Sequence, residues 1–153
     1  MSYISMDHVV KRYHMGEVTI TAVNNITFDI ERGEFVVIVG PSGAGKTTAL
    51  NALTALGGRI IDADAVYHQL TASSPDLRRE LEARFGSVYD GGDLDRKKLG
   101  QIVFQDPQAL ADLNAITHKY VAQETQRQID QARREGAPAV GIDAIALLES
   151  PLA

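Results

Sequence analysis

The first forty residues follow the hydrophobic and polar pattern of β-strands. Residues 26–30 alternate apolar and polar side chains, which predicts a half-buried strand. Residues 17–23 are rich in β-branched side chains, and residues 35–39 are continuously apolar, as is typical of a central parallel strand. We therefore predict four strands, over residues 2–10, 17–23, 26–30 and 35–39.

The pattern becomes helical after residue 45, and Gly, Pro and Asp residues mark where the helices begin and end. Ser74 and Pro75, for example, supply an N-cap and a first-turn proline. Two further segments are short and apolar enough to be parallel strands, 59–62 and 139–142. The predicted helices cover residues 46–56, 63–71, 75–85 and 95–104, and a further helix starts at 107 and continues as a polar, solvated helix over 123–135. The apolar face of this last helix is predicted to carry Leu110, Leu113, Thr117, Tyr120 and Val121.

A glycine-rich segment lies between the apolar strand 35–39 and the helix that follows it. It matches G-x-x-x-x-G-K-[ST], whose backbone N–H groups and helix N-terminus bind phosphate. Lys46 would neutralise the β- and γ-phosphates, and the Thr47 hydroxyl would bind Mg²⁺. The alternative is a glycine-rich turn that binds nothing. The candidate nucleotide-binding residues are Gly40, Pro41, Ser42, Gly43, Ala44, Gly45, Lys46, Thr47 and Thr48.

Acidic residues follow two of the predicted parallel strands. Asp64 comes just after strand 59–62, and Asp143 comes just after strand 139–142. Because ligands of open α/β sheets bind at the carboxyl edge, both are candidates for the reaction site. Asp64 could accept a proton from a substrate hydroxyl, and Asp143 could be a magnesium partner. The alternative is that both are solvated strand-end acids or helix caps.

Composition narrows the functional class. The net charge of −5, from 15 Lys and Arg and 20 Asp and Glu, argues against a nucleic-acid binder. The absence of cysteine excludes disulfides and thiolate catalysis within this sequence and fits a cytoplasmic location. No apolar run approaches the ~20 residues of a spanning helix, so we expect no direct insertion into a membrane.

Four segments of residues 53–153 follow one another in a recognisable order. They are Ile60-Ile61-Asp62-Ala63-Asp64, Gly92-Asp93-Leu94-Asp95-Arg96, Val103-Phe104-Gln105-Asp106-Pro107 and Leu113-Asn114-Ala115-Ile116-Thr117-His118. In these segments the chain resembles dephospho-CoA kinase. The resemblance implies transfer of a phosphoryl group from ATP·Mg²⁺ to the ribose 3′-hydroxyl of dephospho-CoA.

The same resemblance implies roles for individual residues. Asp64 would be the catalytic base beside Lys46, and Asp143 would bind the metal. Arg96, His118 and Glu149 would bind the acceptor substrate. Two positions depart from the family pattern, since Lys119 and Ile145 stand where the family has proline. Surface pairing or packing is the alternative for Arg96 and His118.

Residues 1–52 contain Val9-Val10-Lys11-Arg12-Tyr13 and the loop sequence Gly-Pro-Ser-Gly-Ala-Gly-Lys-Thr-Thr. In these segments the chain resembles the start of an ABC transporter ATPase. This resemblance implies that Tyr13 stacks on adenine. A core or edge tyrosine is the alternative. The ABC signature Leu-Ser-Gly-Gly-Gln does not occur in the sequence. The chain thus resembles a chimera joined just after a shared phosphate-binding loop.

We predict an α/β fold, a P-loop NTPase with a three-layer parallel sheet, an N-terminal strand-rich extension and a helical subdomain. The single domain 1–153 would comprise a β extension (1–34), the P-loop core (35–64), a helical acceptor subdomain (65–136) and a third core strand (137–153). ATP and dephospho-CoA are the expected partners, and an open sheet edge predicts a homodimer. Turnover is expected to be impaired, because the resemblance ends before the family's arginine-bearing lid. The alternatives are a recombined or engineered nucleotide-binding chimera without turnover and an ABC transporter ATPase fragment.

Overall fold

The computed structural model describes residues 3–31, 33–34, 36 and 46–144, with the backbone alone for residues 22 and 46–48. The chain divides into two compact units, Met1–Ala52 and Leu53–Ala153. The glycine-rich loop before residue 46 and most of the predicted strand 35–39 lie outside the described residues. The four-part organisation within a single P-loop domain stays a prediction.

The first unit contains a long β-hairpin. Strand β1 (Ile4–Met15) pairs antiparallel with β2 (Val18–Ile30), and the connecting turn places Gly16 at a φ of +63°. The predicted boundaries were wrong here, because three predicted strands form two. The polar segment after residue 10 continues β1 since it pairs across the hairpin, where the Nδ1 atom of His14 lies 3.0 Å from the Thr19 hydroxyl.

The predicted break between residues 23 and 26 is an irregularity within β2. His8 and Asn25 both have positive φ angles, 48° and 54°, and the pairing register shifts beside them. The His8 Nδ1 atom lies 2.6 Å from Oδ1 of Asn25, and the His8 backbone N–H donates to the Thr27 hydroxyl at 3.0 Å. These polar contacts across the hairpin replace the ladder hydrogen bonds lost at the bulge.

Helix α1 (Lys46–Ala55) is the next element after the hairpin that the structure describes, and the remaining elements follow it along the chain. They are β3 (Arg59–Asp62), α2 (Ala63–Ser73), α3 (Pro75–Phe85), β4 (Tyr89–Asp90), β5 (Asp93–Leu94), α4 (Arg96–Val103), α5 (Pro107–Arg134) and β6 (Val140–Asp143). β3 and β6 form a parallel pair, and β4 and β5 form a short antiparallel pair. The predicted helices are confirmed, and the helix predicted from residue 107 with its polar continuation to residue 135 is the single helix α5.

Side-chain caps fix where these helices begin. The side chains of Asp62, Ser74, Asp95 and Asp106 each accept a hydrogen bond from a backbone N–H in the first turn of α2, α3, α4 and α5. Proline also occupies the first position of α3 and α5. The Ser74–Pro75 start predicted from the sequence is therefore confirmed.

Helix α5 connects two hydrophobic clusters of the second unit. Its Ala109 packs in a cluster with α3 and α4, and its Val121 packs in a cluster with β3 and α2. The side chains that form the first cluster are Leu77, Leu81, Phe85, Val88, Tyr89, Leu99, Val103 and Ala109. Helix α5 therefore joins the packing of α3 and α4 to that of β3 and α2.

A tight approach between α1 and β3 requires glycine at position 58. A Cβ atom there would lie 2.6 Å from Cγ of Leu53 and 2.8 Å from its backbone oxygen. Gly58 also donates its backbone N–H to that oxygen at 2.9 Å. The absence of a side chain therefore lets the chain turn directly from α1 into β3.

Glu124 on α5 is expected to make stability depend on acid pH. Hydrogen bonds from Arg127 and then from Gln128 lower the pKa of Glu124 from 4.5 to about 2, and its side chain is 18 % exposed. A lowered pKa stabilises the folded chain above pH ~4.5, and this contribution is lost as the pH falls through about 2. Glu124→Gln should lower the free energy of unfolding by about 1–2 kcal/mol at pH 7. Urea denaturation should show that the difference between wild type and variant becomes smaller as the pH approaches 2.

Asp130→Asn is a matched control on the same helix, because its Arg133 partner lies 3.8 Å away and both groups are more exposed. The control should cost less than ~0.5 kcal/mol. An equal loss at pH 7 and pH 3 in Glu124→Gln would contradict the assignment.

Candidate functional site

Two aspartates meet at the carboxyl end of the parallel pair. The register places Asp62 directly opposite Asp143, so their backbones lie about 4.8 Å apart. Oδ1 of Asp62 accepts the backbone N–H of Ala65 at 2.9 Å and thereby caps α2. Sequence reasoning missed Asp62, although its position at a strand end, before a helix, was a signal for such a cap.

Asp64 lies in the first turn of α2, immediately beyond this edge, and is exposed. Asp143 is half-buried at the end of β6. The fold therefore brings the strand-end acids Asp62 and Asp143 to one edge, and α2 starts there with Asp64.

Arg96 is the first residue of α4 and is linked to α2 by its side chain. One of its terminal nitrogens lies 2.5 Å from Nδ1 of His68, across 28 positions in the sequence. Sequence reasoning missed His68. Its position one helical turn after Asp64 was a weak signal, because residues four apart share a helix face.

Two tyrosines lie beside this contact. Burial raises the pKa of Tyr67, while the charge of Arg96 acts in the opposite direction. Burial, followed by the neighbouring Tyr67, raises the pKa of Tyr89. Tyr89 is 8 % exposed, and the Arg78 guanidinium lies 4.7 Å from its ring centre. Its hydroxyl has no hydrogen-bond partner among the residues that the structure describes.

His118 lies half-buried within α5. The neighbouring Lys119, which stands where a proline was expected, continues the helix and donates to Oε1 of Glu80 at 2.6 Å. The Tyr120 hydroxyl donates to the same oxygen at 2.8 Å, and hydrogen bonds from Lys119 and then Tyr120 lower the pKa of Glu80. Lys119 and Tyr120 therefore link α5 to Glu80 on α3.

The remaining predicted residues fall in other parts of the chain. Tyr13 lies on β1, 43 % exposed, with Nζ of Lys11 5.4 Å from its ring centre. The loop residues Gly40, Pro41, Ser42, Gly43, Ala44 and Gly45, together with Glu149, lie outside the described residues. Lys46, Thr47 and Thr48 form the start of α1.

The donor set at the sheet edge fits a magnesium ion that keeps most of its ligands from water and phosphate. Within residues 46–144 and the hairpin, no three His, Asp or Glu side chains form a metal-binding group. Mg²⁺ is commonly held by one or two carboxylates plus substrate phosphates, which is the number that Asp143 and Asp62 supply.

Comparison with known proteins assigns the family. A family model described as dephospho-CoA kinase matches residues 34–153. The chain belongs to the dephospho-CoA kinase family. The dephospho-CoA kinase of Symbiobacterium thermophilum is 41 % identical over 115 residues, covering 74 % of this chain and 48 % of the relative. That of Geobacter metallireducens is 37 % identical over 120 residues, covering 75 % and 60 %.

Solved structures agree with this fold. TT1252 from Thermus thermophilus matches with a TM-score of 0.55 and 29 % identity, covering 70 % of this chain and 53 % of the other. The dephospho-CoA kinase of Campylobacter jejuni matches with a TM-score of 0.53 and 24 % identity, covering 67 % and 52 %. The predicted α/β P-loop fold is thus confirmed. The chain spans about half to three fifths of the length of the kinases it matches.

The family match also revises the division inferred from the sequence. It begins at residue 34, so residues 34–52, which were assigned to the ABC resemblance, lie inside the dephospho-CoA kinase match. These matches give no support to an ABC transporter segment or a chimera.

None of the helices in the described ranges is long and apolar enough to cross a bilayer.

Proposed function

We propose that this chain transfers the γ-phosphoryl group of ATP to the ribose 3′-hydroxyl of dephospho-CoA. The observation that carries the proposal is the dephospho-CoA kinase match over residues 34–153. The parallel register that places Asp62 beside Asp143, where α2 and Asp64 begin, supports it. Ligands of open α/β sheets bind at this edge.

The phosphates of ATP would be held by residues 40–48. Lys46 would neutralise the β- and γ-phosphates, and Thr47 and Asp143 would hold Mg²⁺. The ion, when bound, neutralises charge on the transferring phosphoryl group. Tyr13 would stack on the adenine ring, a role that its exposed aromatic face permits.

Asp64 would act as the general base. Its exposed carboxylate accepts the proton of the 3′-hydroxyl while that oxygen forms a bond to the γ-phosphorus and the bond to the β-phosphate oxygen breaks. The products are CoA and ADP, and the proton leaves from Asp64. Arg96, His118 and Glu149 would bind the acceptor, with the helices of 65–136 forming its side of the site.

Calorimetric titration with ATP·Mg²⁺ tests the nucleotide site and then the reaction. Lys46→Ala should lose measurable ATP binding, because it removes the charge that would neutralise the β- and γ-phosphates and its charge-assisted hydrogen bonds. Adding dephospho-CoA to the wild-type mixture should release heat and produce ADP and CoA in equal amounts.

Lys97→Ala, an exposed lysine on α4, is the matched control and should bind ATP as the wild type does. ATP binding without CoA formation would overturn the kinase proposal and leave a nucleotide-binding module. An unchanged affinity in Lys46→Ala would overturn the role of the glycine-rich loop.

A further inference from the structure

The contact between Arg96 and His68 has a defined hydrogen-bond direction. A guanidinium has only donors, so Nδ1 of His68, 2.5 Å away, is the acceptor in this hydrogen bond. The partner of Arg96 in this contact is thus an imidazole nitrogen and not an anion.

Arg96 differs in this respect from other arginines of the second unit. Several of those that the structure describes form ion pairs with carboxylates: Arg59, Arg78, Arg79, Arg84, Arg127 and Arg133. Among the described residues, Arg96 has no such pair within 4.0 Å. Its neighbour Asp95 is engaged in capping α4 through the Lys98 N–H at 2.9 Å.

The contact also places Arg96 near the proposed base. Asp64 and His68 are four residues apart on α2, so they share one face and lie about one turn, ~5.4 Å, apart along the helix. Asp64, His68 and Arg96 are all exposed. A sugar hydroxyl at Asp64 would leave a phosphate of the same molecule within reach of a cation held one turn further along α2.

We propose that His68 is a positioning residue that holds the Arg96 guanidinium on the face of α2 that carries Asp64, so that its remaining N–H groups bind a phosphate of the acceptor. The inference rests on the proposed function, which supplies a phosphate-bearing acceptor. His68 uses one of the five N–H donors of Arg96, and the others stay available for a phosphate. The ring centre of Tyr67 lies 5.6 Å from that of His68.

Direct binding of dephospho-CoA, measured by calorimetry without ATP, tests this role. His68→Ala should weaken binding about tenfold, since an unanchored arginine keeps its charge but loses its orientation. His68→Gln, whose side-chain oxygen can accept from Arg96, should restore most of the affinity. Gln69→Ala, the exposed neighbour, is the control and should bind as the wild type does.

The Nδ1 chemical shift of His68 provides a readout that does not depend on substrate. Imidazole ¹⁵N spectra should show Nδ1 as a hydrogen-bonded acceptor nitrogen in the wild type, and Arg96→Ala should move its chemical shift because that hydrogen bond is lost. The Gln69→Ala control should keep the wild-type shift. Wild-type affinity in His68→Ala, failure of His68→Gln to restore binding, or an unchanged Nδ1 shift in Arg96→Ala would each overturn the proposal.

Kinetics separate this inference from the proposed function. In an active enzyme, His68→Ala should raise KM for dephospho-CoA about tenfold and leave KM for ATP unchanged. Equal KM values for dephospho-CoA in the wild type and His68→Ala would overturn the role of His68 alone. Acceptor binding that depends on His68 in a chain that forms no CoA would overturn the kinase proposal alone.

Discussion

Replacing Asp64 with asparagine should lower kcat for CoA formation about 10²–10⁴-fold, the range associated with loss of a general base. Asparagine keeps the size of the side chain and can still accept a hydrogen bond, but it cannot take the proton of the 3′-hydroxyl. Because Asp64 is exposed in the first turn of α2 and lies outside the buried clusters, folding should survive the change. Initial-rate kinetics with saturating ATP measure the effect directly.

Asp76→Asn is the matched control, since Asp76 is also an aspartate in the first turn of a helix, α3. Both variants lose a favourable interaction with a helix N-terminus, worth roughly 0.3–1 kcal/mol. Only Asp64→Asn should lose turnover, and its affinity for ATP·Mg²⁺ should stay near that of the wild type. A kcat within about threefold of the wild type would exclude Asp64 as the base.

Local sequence patterns predicted the helices of this chain well, because their ends are encoded by adjacent residues. Ser74, for example, caps α3 through the Leu77 N–H at 3.2 Å, and Pro75 occupies the first helical position. The strands of the N-terminal hairpin were predicted less well. Their extent depends on pairing between distant segments, such as Ile4 opposite Ile30, which no local pattern encodes.

The same distinction holds for the candidate site. A strand followed by an acid predicted that Asp64 and Asp143 belong to one sheet edge, and the parallel register of β3 and β6 places Asp143 there beside Asp62. The pairing of Arg96 with His68 was not predicted, because it depends on how β5, which precedes α4 in the chain, packs against α2. The motifs indicated which residues carry the chemistry but not which side chain orients another.

The exposure of Leu110 shows that the spacing of apolar residues does not by itself determine which side chains of a helix are buried. Its spacing with Leu113 and Val121 predicted a place on the apolar face of α5. Leu110 is 42 % exposed, whereas Val121 is buried. Helix α5 is long enough to extend past the first cluster before it reaches the second. Which of its side chains are buried is therefore set by two different clusters and not by one continuous apolar face.

Truncating Leu81 to alanine should destabilise the second unit by about 2–5 kcal/mol. Leu81, on α3, is 0 % exposed and belongs to the buried cluster that also contains Leu77, Val88 and Leu99. Its loss removes buried apolar surface and leaves a cavity that rigid neighbouring helices cannot fill completely. Urea denaturation monitored by helical circular dichroism should show a lower midpoint with an unchanged slope.

Leu110→Ala removes the same atoms from a partly exposed position on α5 and should cost much less, about 1 kcal/mol or below. A similar loss in both variants would contradict the packing described for α3. Helices α3 and α5 lie against the same cluster as α4, which begins with Arg96. Loosening that cluster should therefore weaken dephospho-CoA binding in Leu81→Ala, at temperatures where the chain is still folded, before it affects binding of ATP.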